Sequence, residues 1–341
     1  DERAGLCSRR RVGAPIEYPE VGLYHPALEQ SIVVSATDLP ARRGRKKGSV
    51  GLLIMRSYVL AGNTAHYDAV IAQLEQHGLR VIPAFASGLD ARPAVQRFFL
   101  EKGKPVVDAV VSLTGFSLVG GPAYNDASAA EEMLAELDVP YIAAQAVEFQ
   151  SLGEWRTSDL GLMPIEATMM VAIPELDGAI APMVFGGRGD TTAGHAVKGG
   201  GQDMCPQPDR VDALAARVAK LVALRRQSRD ERRLAIVLFN FPPNAGNTGT
   251  AAHLSVFESL FNTLETLADQ GYSVEIPTSV DALRAAIVSG NADRYGTDAN
   301  VLERLPVDDH VRREPWLEDI EAQWGPAPGK QLSDGSGLFV L

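Results

Sequence analysis

From Val50 onward, short apolar runs alternate with amphipathic helical patterns, and this alternation limits what the chain can fold into more than any other feature. VGLLIM (50–55) reads as a buried strand, and 64–77 as a helix with Ala65, Val70, Ala72 and Leu74 inward and Gly78 at its C-terminal end. The same rhythm continues through a strand at 79–85, a helix at 92–101, a strand at 106–113, a helix at 127–137 and a strand at 140–144. A helix over 157–174 with Pro164 near its start, a strand at 181–185 and a long helix over 208–229 follow. A second series opens with an apolar strand pattern at 234–239. After a polar turn comes a helix carrying Val256, Leu260, Leu264 and Leu267 on one face. Strands that alternate with helices pair in parallel and bury both faces of their sheet. The expected fold is therefore α/β: two Rossmann-like units with mostly parallel sheets flanked by helices. Residues 1–48 are expected to be a connector and the end of a preceding domain, 49–230 the first α/β domain with a glycine-rich loop at 186–203, and 231–341 a second α/β domain truncated at its C-terminus.

The turn that opens the second series reads FPPNAGNTGTAAH (241–253). A strand feeding a glycine-rich turn at a helix N-terminus leaves backbone N–H groups free for a polar or anionic ligand, although such a turn is also an ordinary helix entry. No Lys follows the glycines, so the ATP-binding GxxxxGK[ST] loop is absent. GNTG does not match GxGxxG, and Pro242-Pro243 spoils the tight turn that a dinucleotide needs. The sequence AGNT recurs at 61–64 and 245–248, each time before a helix with a His nearby. The repeat indicates two related domains presenting polar loops at their strand ends, or else a chance match of four residues. Asn63, Thr64, Asn244, Asn247, Thr248 and Thr250 are the loop residues best placed to contact a ligand.

Composition narrows the partners. A net charge of -11 argues against nucleic acid, which requires a concentrated basic surface. The basic run at 42–47 reads as a solvated linker, with a weak anion or membrane-surface role as the alternative. Cys7 and Cys205 make neither a disulfide framework nor a zinc site, and no metal site is expected. No apolar run reaches the roughly 18 residues of a spanning helix, and no signal-peptide pattern opens the chain. The expected location is cytoplasmic, with any membrane association made through partners.

The segment FPPNAGNTGTAAHLSVFES resembles the large H subunit of magnesium chelatase, within the magnesium chelatase/cobaltochelatase large-subunit family. Four further blocks resemble the same family in order: RSYVLAGNTAHYDAVIAQLE (56–75), VDAVVSLTGFSLVGGPA (107–123), EWRTSDLGLMPIEATMMVAIPELDGAIAPMVFGGR (154–188) and IEAQWGPAPGKQLSDG (320–335). The resemblance runs from Tyr18 to the last residue. It implies an internal fragment of the subunit that binds protoporphyrin IX, to which an AAA+ ATPase subunit and a bridging subunit bring ATP-driven insertion of Mg²⁺. It also implies that the metal-inserting HFGTHGSLEF-type motif lies beyond Leu341, because nothing in this chain matches it. The cobaltochelatase large subunit, which acts on a corrin precursor, is the related alternative, and SLTGFSLVGGPA and PPNAGNTGTAAHL look like the magnesium branch.

Under that resemblance several residues acquire roles. His66 and His253, each read as falling early in a helix, are candidates for accepting a pyrrole proton, or are helix-start packing residues. Arg56 emerges at a strand end, to clamp a propionate or pair with a carboxylate. Thr114 and Phe116 sit in another strand-end loop, where Phe116 is a candidate to stack on a macrocycle or to pack as a core or lid residue. Glu166 and Glu175 stand out as acids in apolar surroundings, with Glu175 and Asp177 read as a turn before Gly178, and Trp155, Trp316 and Trp324 read as packing residues. The loop at 186–203, with Arg188, Asp190, His195 and Lys198, either orders on a ligand or has no fixed structure. The competing reading is a ligand-binding scaffold with no chemistry of its own.

Overall fold

The computed structural model describes residues 17–40, 47–190, 203–239, 248–251, 253–289, 301–327 and 333–340. Its contacts divide the chain into two units, 1–226 and 227–341.

The first unit is built on an eight-stranded sheet. Its strands are β1 (Val21–Tyr24), β2 (Ile32–Val33), β3 (Gly48–Leu53), β4 (Leu79–Ala86), β7 (Ala109–Ser112), β10 (Tyr141–Ser151), β11 (Ile180–Arg188) and β12 (Met204–Pro206), in the spatial order β12-β11-β10-β7-β3-β4-β1-β2. Two small hairpins, β5 (Leu100–Glu101) with β6 (Lys104–Pro105) and β8 (Gly120–Gly121) with β9 (Tyr124–Asn125), decorate the connections. The five central strands β4, β3, β7, β10 and β11 are parallel, while β1, β2 and β12 are antiparallel additions at the two edges. Val21–Tyr24 and Ile32–Val33, expected in a connector, thus belong to this sheet. Val21, Gly22 and Leu23 pair with Ala86, Phe85 and Ala84, because the β4 edge would otherwise be unpaired.

Alternation along β3 explains the two layers. Val50 and Leu52, with Ile54 just beyond the strand, enter one core with α2 (Ala65–Gln76) and α8 (Pro208–Arg226). Leu53 enters the other core with α3 (Arg92–Phe98) and α4 (Ala127–Leu137). Gly51 lies under the Phe99 ring, which a Cβ would meet at 2.6 Å, so this strand position excludes any larger residue. On α2 the buried His66, Tyr67, Val70, Ile71 and Leu74 recur at helical spacing. Gly78 follows at φ +93, a left-handed position suited to glycine at a helix end. Leu74 is fully buried, and truncating such a side chain costs about 2–5 kcal/mol.

The helix expected at 157–174 is broken into pieces. After α1 (Arg56–Ala61), α2, α3 and α4, the chain forms α5 (Leu152–Thr157), capped by a Ser151–Glu154 capping box, then α6 (Pro164–Glu166), a π-helical turn (Ala167–Ala172) and α7 (Ile173–Leu176). Pro174 is the cause of the irregular turn, since it has no N–H to offer the Met170 carbonyl four residues earlier. Gln145 of β10 supplies the replacement donor, its Nε2 lying 2.9 Å from the Met170 oxygen.

The described residues of the second unit carry α9 (Val256–Asp269), α10 (Val280–Val288), helices at Val307–Arg313 and Leu317–Trp324, and an antiparallel pair, β13 (Glu303–Pro306) with β14 (Gly337–Val340). The strand expected at 234–239 has no ladder partner among the described residues, and no second parallel sheet is present among them. Val237 is 91% exposed and Phe239 67%. An apolar alternating run becomes a strand only when it pairs with an edge, and among the described residues this run pairs with none, the β13–β14 pair included.

Candidate functional site

The strand order locates the crevice of the first unit. From β3 the chain moves to β4 on one side, then crosses to β7 on the other and continues outward through β10 and β11. The order reverses between β3 and β7, and open α/β sheets bind ligands outside the carboxyl ends of the strands at such a point. Here the crevice is lined by Ile54 and Met55 after β3, Leu89 and Asp90 after β4, and Thr114 and Phe116 after β7. Its volume is about 20 Å³, enough for about one water molecule.

Internal hydrogen bonds close it. Ser112 Oγ and Thr114 Oγ1 lie 2.9 Å apart, and the Phe116 N–H donates to Thr114 Oγ1 at 3.4 Å. Ser117 Oγ and the Leu118 N–H donate to the two carboxylate oxygens of Asp177, at 3.0 and 2.7 Å. Asp177 is buried, and desolvation pushes its carboxyl above the usual range against the pull of those two donors. Asp90 on the opposite lip is gripped by Arg92 at 2.7 Å. Burial opposes its charge, but the guanidinium outweighs burial and holds it below the usual range. Gly115 turns the loop at φ +74, with Met170 packed beside it.

Three residues expected at this edge make hydrogen bonds within the first unit. Arg56 donates to the backbone carbonyls of Pro19 (3.0 Å) and Tyr18 (3.1 Å). Asn63 Oδ1 accepts the Met204 N–H at 2.9 Å, tying the AGNT turn to β12. Thr64 Oγ1 accepts from the Tyr24 hydroxyl at 3.0 Å and donates to Asp68 at 3.1 Å. Burial, with the nearby Asp68 carboxylate, pushes the Tyr24 hydroxyl up to about 12.

His66 is the second residue of α2 and fully buried, with neither ring nitrogen hydrogen-bonded. Tyr67, Tyr58 and Phe185 surround it at ring-centroid distances of 3.8, 5.4 and 5.8 Å. Burial drops its imidazole to about 3, so it is neutral at ordinary pH. Nearby, the Tyr58 hydroxyl is hydrogen-bonded to Glu148 and raised by burial, while Arg188 Nε donates to the Glu148 carbonyl at 2.6 Å.

In the second unit, His253 is exposed at φ +61 in the turn before α9 rather than within the helix. Thr248 is half-buried and Thr250 exposed, and the Gly249 N–H donates to the Phe239 carbonyl at 2.9 Å. Asn244 and Asn247 lie outside the described residues, as do His195 and Lys198 of the glycine-rich loop and Arg42 to Lys46 of the basic run. Trp316 and Trp324, expected to pack, are exposed.

Two buried acids proved more important than their sequence reading suggested. Glu166 accepts from the N–H groups of Glu148, Phe149 and Met163 and from the Gln150 amide, the last at 2.6 Å. Asp177, read as a turn residue, holds the loop after β7 as well. The signal available for both was an acid set in an apolar run, as in LMPIEATMM. No group of three or more His, Cys, Asp or Glu side chains among the described residues is arranged to hold a metal ion, and no described helix is long and apolar enough to cross a membrane.

Comparison with known proteins extends this picture. A family model described as CobN/Magnesium Chelatase matches residues 2–341. The chain is 52% identical over 337 residues to the magnesium-chelatase H subunit of Cereibacter sphaeroides, covering 96% of this chain and 28% of that protein. It is 48% identical to the corresponding H subunit of Rhodobacter capsulatus, covering 97% of the chain and 28% of the relative. Identity to the aerobic cobaltochelatase subunit CobN of a Sinorhizobium species is 28%, over 96% of the chain and 26% of that protein. Among solved structures, the catalytic subunit of cobaltochelatase from Mycobacterium tuberculosis superposes with a TM-score of 0.72 at 22% identity, over 96% of this chain and 26% of that one. That likeness shows a shared fold. The chain spans 28% of the length of the two H subunits it matches.

Proposed function

Because the chain belongs to the CobN/magnesium chelatase family, we propose that it is a region of the porphyrin-binding H subunit of a magnesium chelatase. The complete assembly inserts Mg²⁺ into protoporphyrin IX in chlorophyll or bacteriochlorophyll synthesis. An AAA+ ATPase subunit supplies ATP hydrolysis and a bridging subunit connects the two, in the cytoplasm or at a membrane reached through partners. The observation that carries the reading is the 52% identity to a magnesium-chelatase subunit over 96% of the chain, against 28% to the cobaltochelatase subunit over the same share.

Mg²⁺ gives up its water reluctantly and prefers oxygen ligands, so insertion needs a slot for the macrocycle, donors for its carboxylates and a base for its pyrrole protons. In this reading the first unit contributes the wall of the slot. Phe116 and Thr114 line the switch-point crevice, and Asp177 holds the following residues in place. Arg56, Asn63 and Thr64 fix the edge through their internal bonds rather than by touching substrate. Asn244, Asn247, Thr248 and Thr250 are the polar contacts assigned to the second unit. Of the two histidines, His253 is open to solvent, whereas His66 is sealed among aromatic rings and moves no proton. Mg²⁺ and the porphyrin are substrates here; the described residues supply no resident metal site.

The test is a chimera in which this segment replaces the matching 28% of the Cereibacter protein, assayed with its partner subunits for insertion of Mg²⁺ into protoporphyrin IX. Magnesium insertion within tenfold of the parent is the expected result. A folded chimera that inserts no magnesium overturns the reading, and one that inserts cobalt into a corrin precursor instead moves the chain to the cobaltochelatase branch.

A further inference from the structure

The larger cavity of the first unit is not at the switch point. It lies at the β11–β12 flank of the sheet, has a volume of about 440 Å³, and is lined by Trp155, Arg156 and Ser158 from α5 and its C-terminal end, by Gly161, and by Gln207, Asp209 and Arg210 at the start of α8. The Arg210 guanidinium lies 5.7 Å from the centre of the Trp155 indole, within cation–π range. Arg156 is exposed and makes no ion pair among the described residues. One acid faces the two cations: Asp209 lies 3.6 Å from Arg210 Nε and accepts a 2.6 Å bond from the Gln207 amide. Gly161, at φ +69, has open space where a Cβ would stand, so the floor is free of side chain.

We propose that this hollow is a binding subsite for a flat aromatic carboxylate, with the Arg210 guanidinium, stacked over Trp155, facing the ring plane and Arg156 receiving the acid groups. A guanidinium fork matches a carboxylate bidentately, and an indole supplies a broad apolar face at small entropic cost. The cavity combines both, with one cationic charge in excess after Asp209 is set against Arg210. A bare phosphate would use the guanidinium groups and leave the indole idle. The choice of a porphyrin as probe rests on the proposed function, while the ligand class follows from the cavity itself.

The experiment is a titration of the 341-residue chain with deuteroporphyrin IX, followed by the shift of its Soret band, alongside its dimethyl ester and inorganic phosphate as competitor. The variants are Arg156→Gln/Arg210→Gln, Trp155→Leu and Thr114→Val/Phe116→Leu, each checked for folding by circular dichroism. Arg156 and Arg210 are exposed, so the first pair should fold normally. Saturable micromolar binding by the unaltered chain is expected, weakened at least tenfold in the double Arg variant, at least fivefold in Trp155→Leu, and at least tenfold for the diester. Affinity within twofold of the unaltered chain in the double Arg variant, equal binding of acid and ester, displacement by phosphate alone with no effect of Trp155→Leu, or no binding by the folded chain overturns it. Loss of binding confined to Thr114→Val/Phe116→Leu sinks this subsite and leaves the switch-point wall standing. The reverse pattern removes the wall and keeps the subsite.

Discussion

The two concave regions of the first unit are built on opposite plans. At the switch point the polar side chains are satisfied by one another, and the space left holds about one water. At the β11–β12 flank the cavity is open: Gln207, Asp209 and Arg210 engage one another, while Arg156 has no ion-pair partner among the described residues. Residues that look functional because they are polar and sit in strand-end loops are thus the ones the fold consumes. Of the residues that line the open cavity, Trp155 and Arg156 lie in the block at 154–188 but are not among the expected ligand contacts, and Arg210 lies in no block. A position favoured by topology is where a fold can build a site, while the unsatisfied chemistry shows where this chain has one to offer.

The contrast can be broken most forcefully at Glu166. Glu166→Ala strands three backbone N–H groups and an amide in a buried place, and should lower the unfolding free energy by about 4 kcal/mol in a urea titration. A loss under about 1 kcal/mol would mean that water replaces the carboxylate and that this side is less closed than its hydrogen bonds suggest. Asp177→Ala should cost about 3 kcal/mol by the same measurement and Asp177→Asn about 1 kcal/mol or less, because the amide oxygen still accepts the Leu118 N–H. Equal losses for the two would show that charge, not hydrogen bonding, holds the loop.

His66 sharpens the comparison through pH. Its folded value of about 3 lies below its ordinary 6.5, so the unfolded chain takes up a proton that the folded chain refuses. The contribution of His66 is intact above pH 6.5 and falls by about 1.4 kcal/mol per unit as the pH drops toward 3. Between pH 6.5 and about 5 the chain should lose about 2 kcal/mol relative to His66→Leu, read as the difference between their urea midpoints across pH. Parallel curves would place a polar partner beside the ring. The smallest effect belongs to the open flank, where Arg156→Gln/Arg210→Gln should shift stability by about 0.5 kcal/mol or less. A larger loss would mean that these guanidinium groups hold the fold rather than await a ligand.

Much of the first unit was legible because strands and helices announce themselves by period. The 127–137 helix matches residue for residue, and the strands at 48–53 and 79–86 fall within a residue or two of their expected ends. What failed depended on something outside the local pattern. The run at 234–239 has the composition of a strand but pairs with no edge among the described residues. Val21–Tyr24 and Ile32–Val33 lack a strong period yet become strands because β4 offers an edge. The break in the 157–174 helix was half visible, since Pro164 and Pro174 are both in the sequence, but the Gln145 amide that makes the π-turn tolerable comes from another strand. The bonds that hold the site residues were equally hidden. Asn63 meets its partner 141 positions away and Tyr24 reaches Thr64 across 40, distances over which residue type alone says nothing.

The sheet's two borders carry a further consequence. Five parallel strands would leave long hydrogen-bonding margins, and here each margin is fenced by a short antiparallel strand: Ile32–Val33 on one side, Met204–Pro206 on the other. The two outermost strands offer a foreign strand only two or three residues to pair with, and at one of them Pro206 has no N–H to give. Their cover is partial, since β12 pairs with Gly186–Arg188 of β11 and β1 with Ala84–Ala86 of β4.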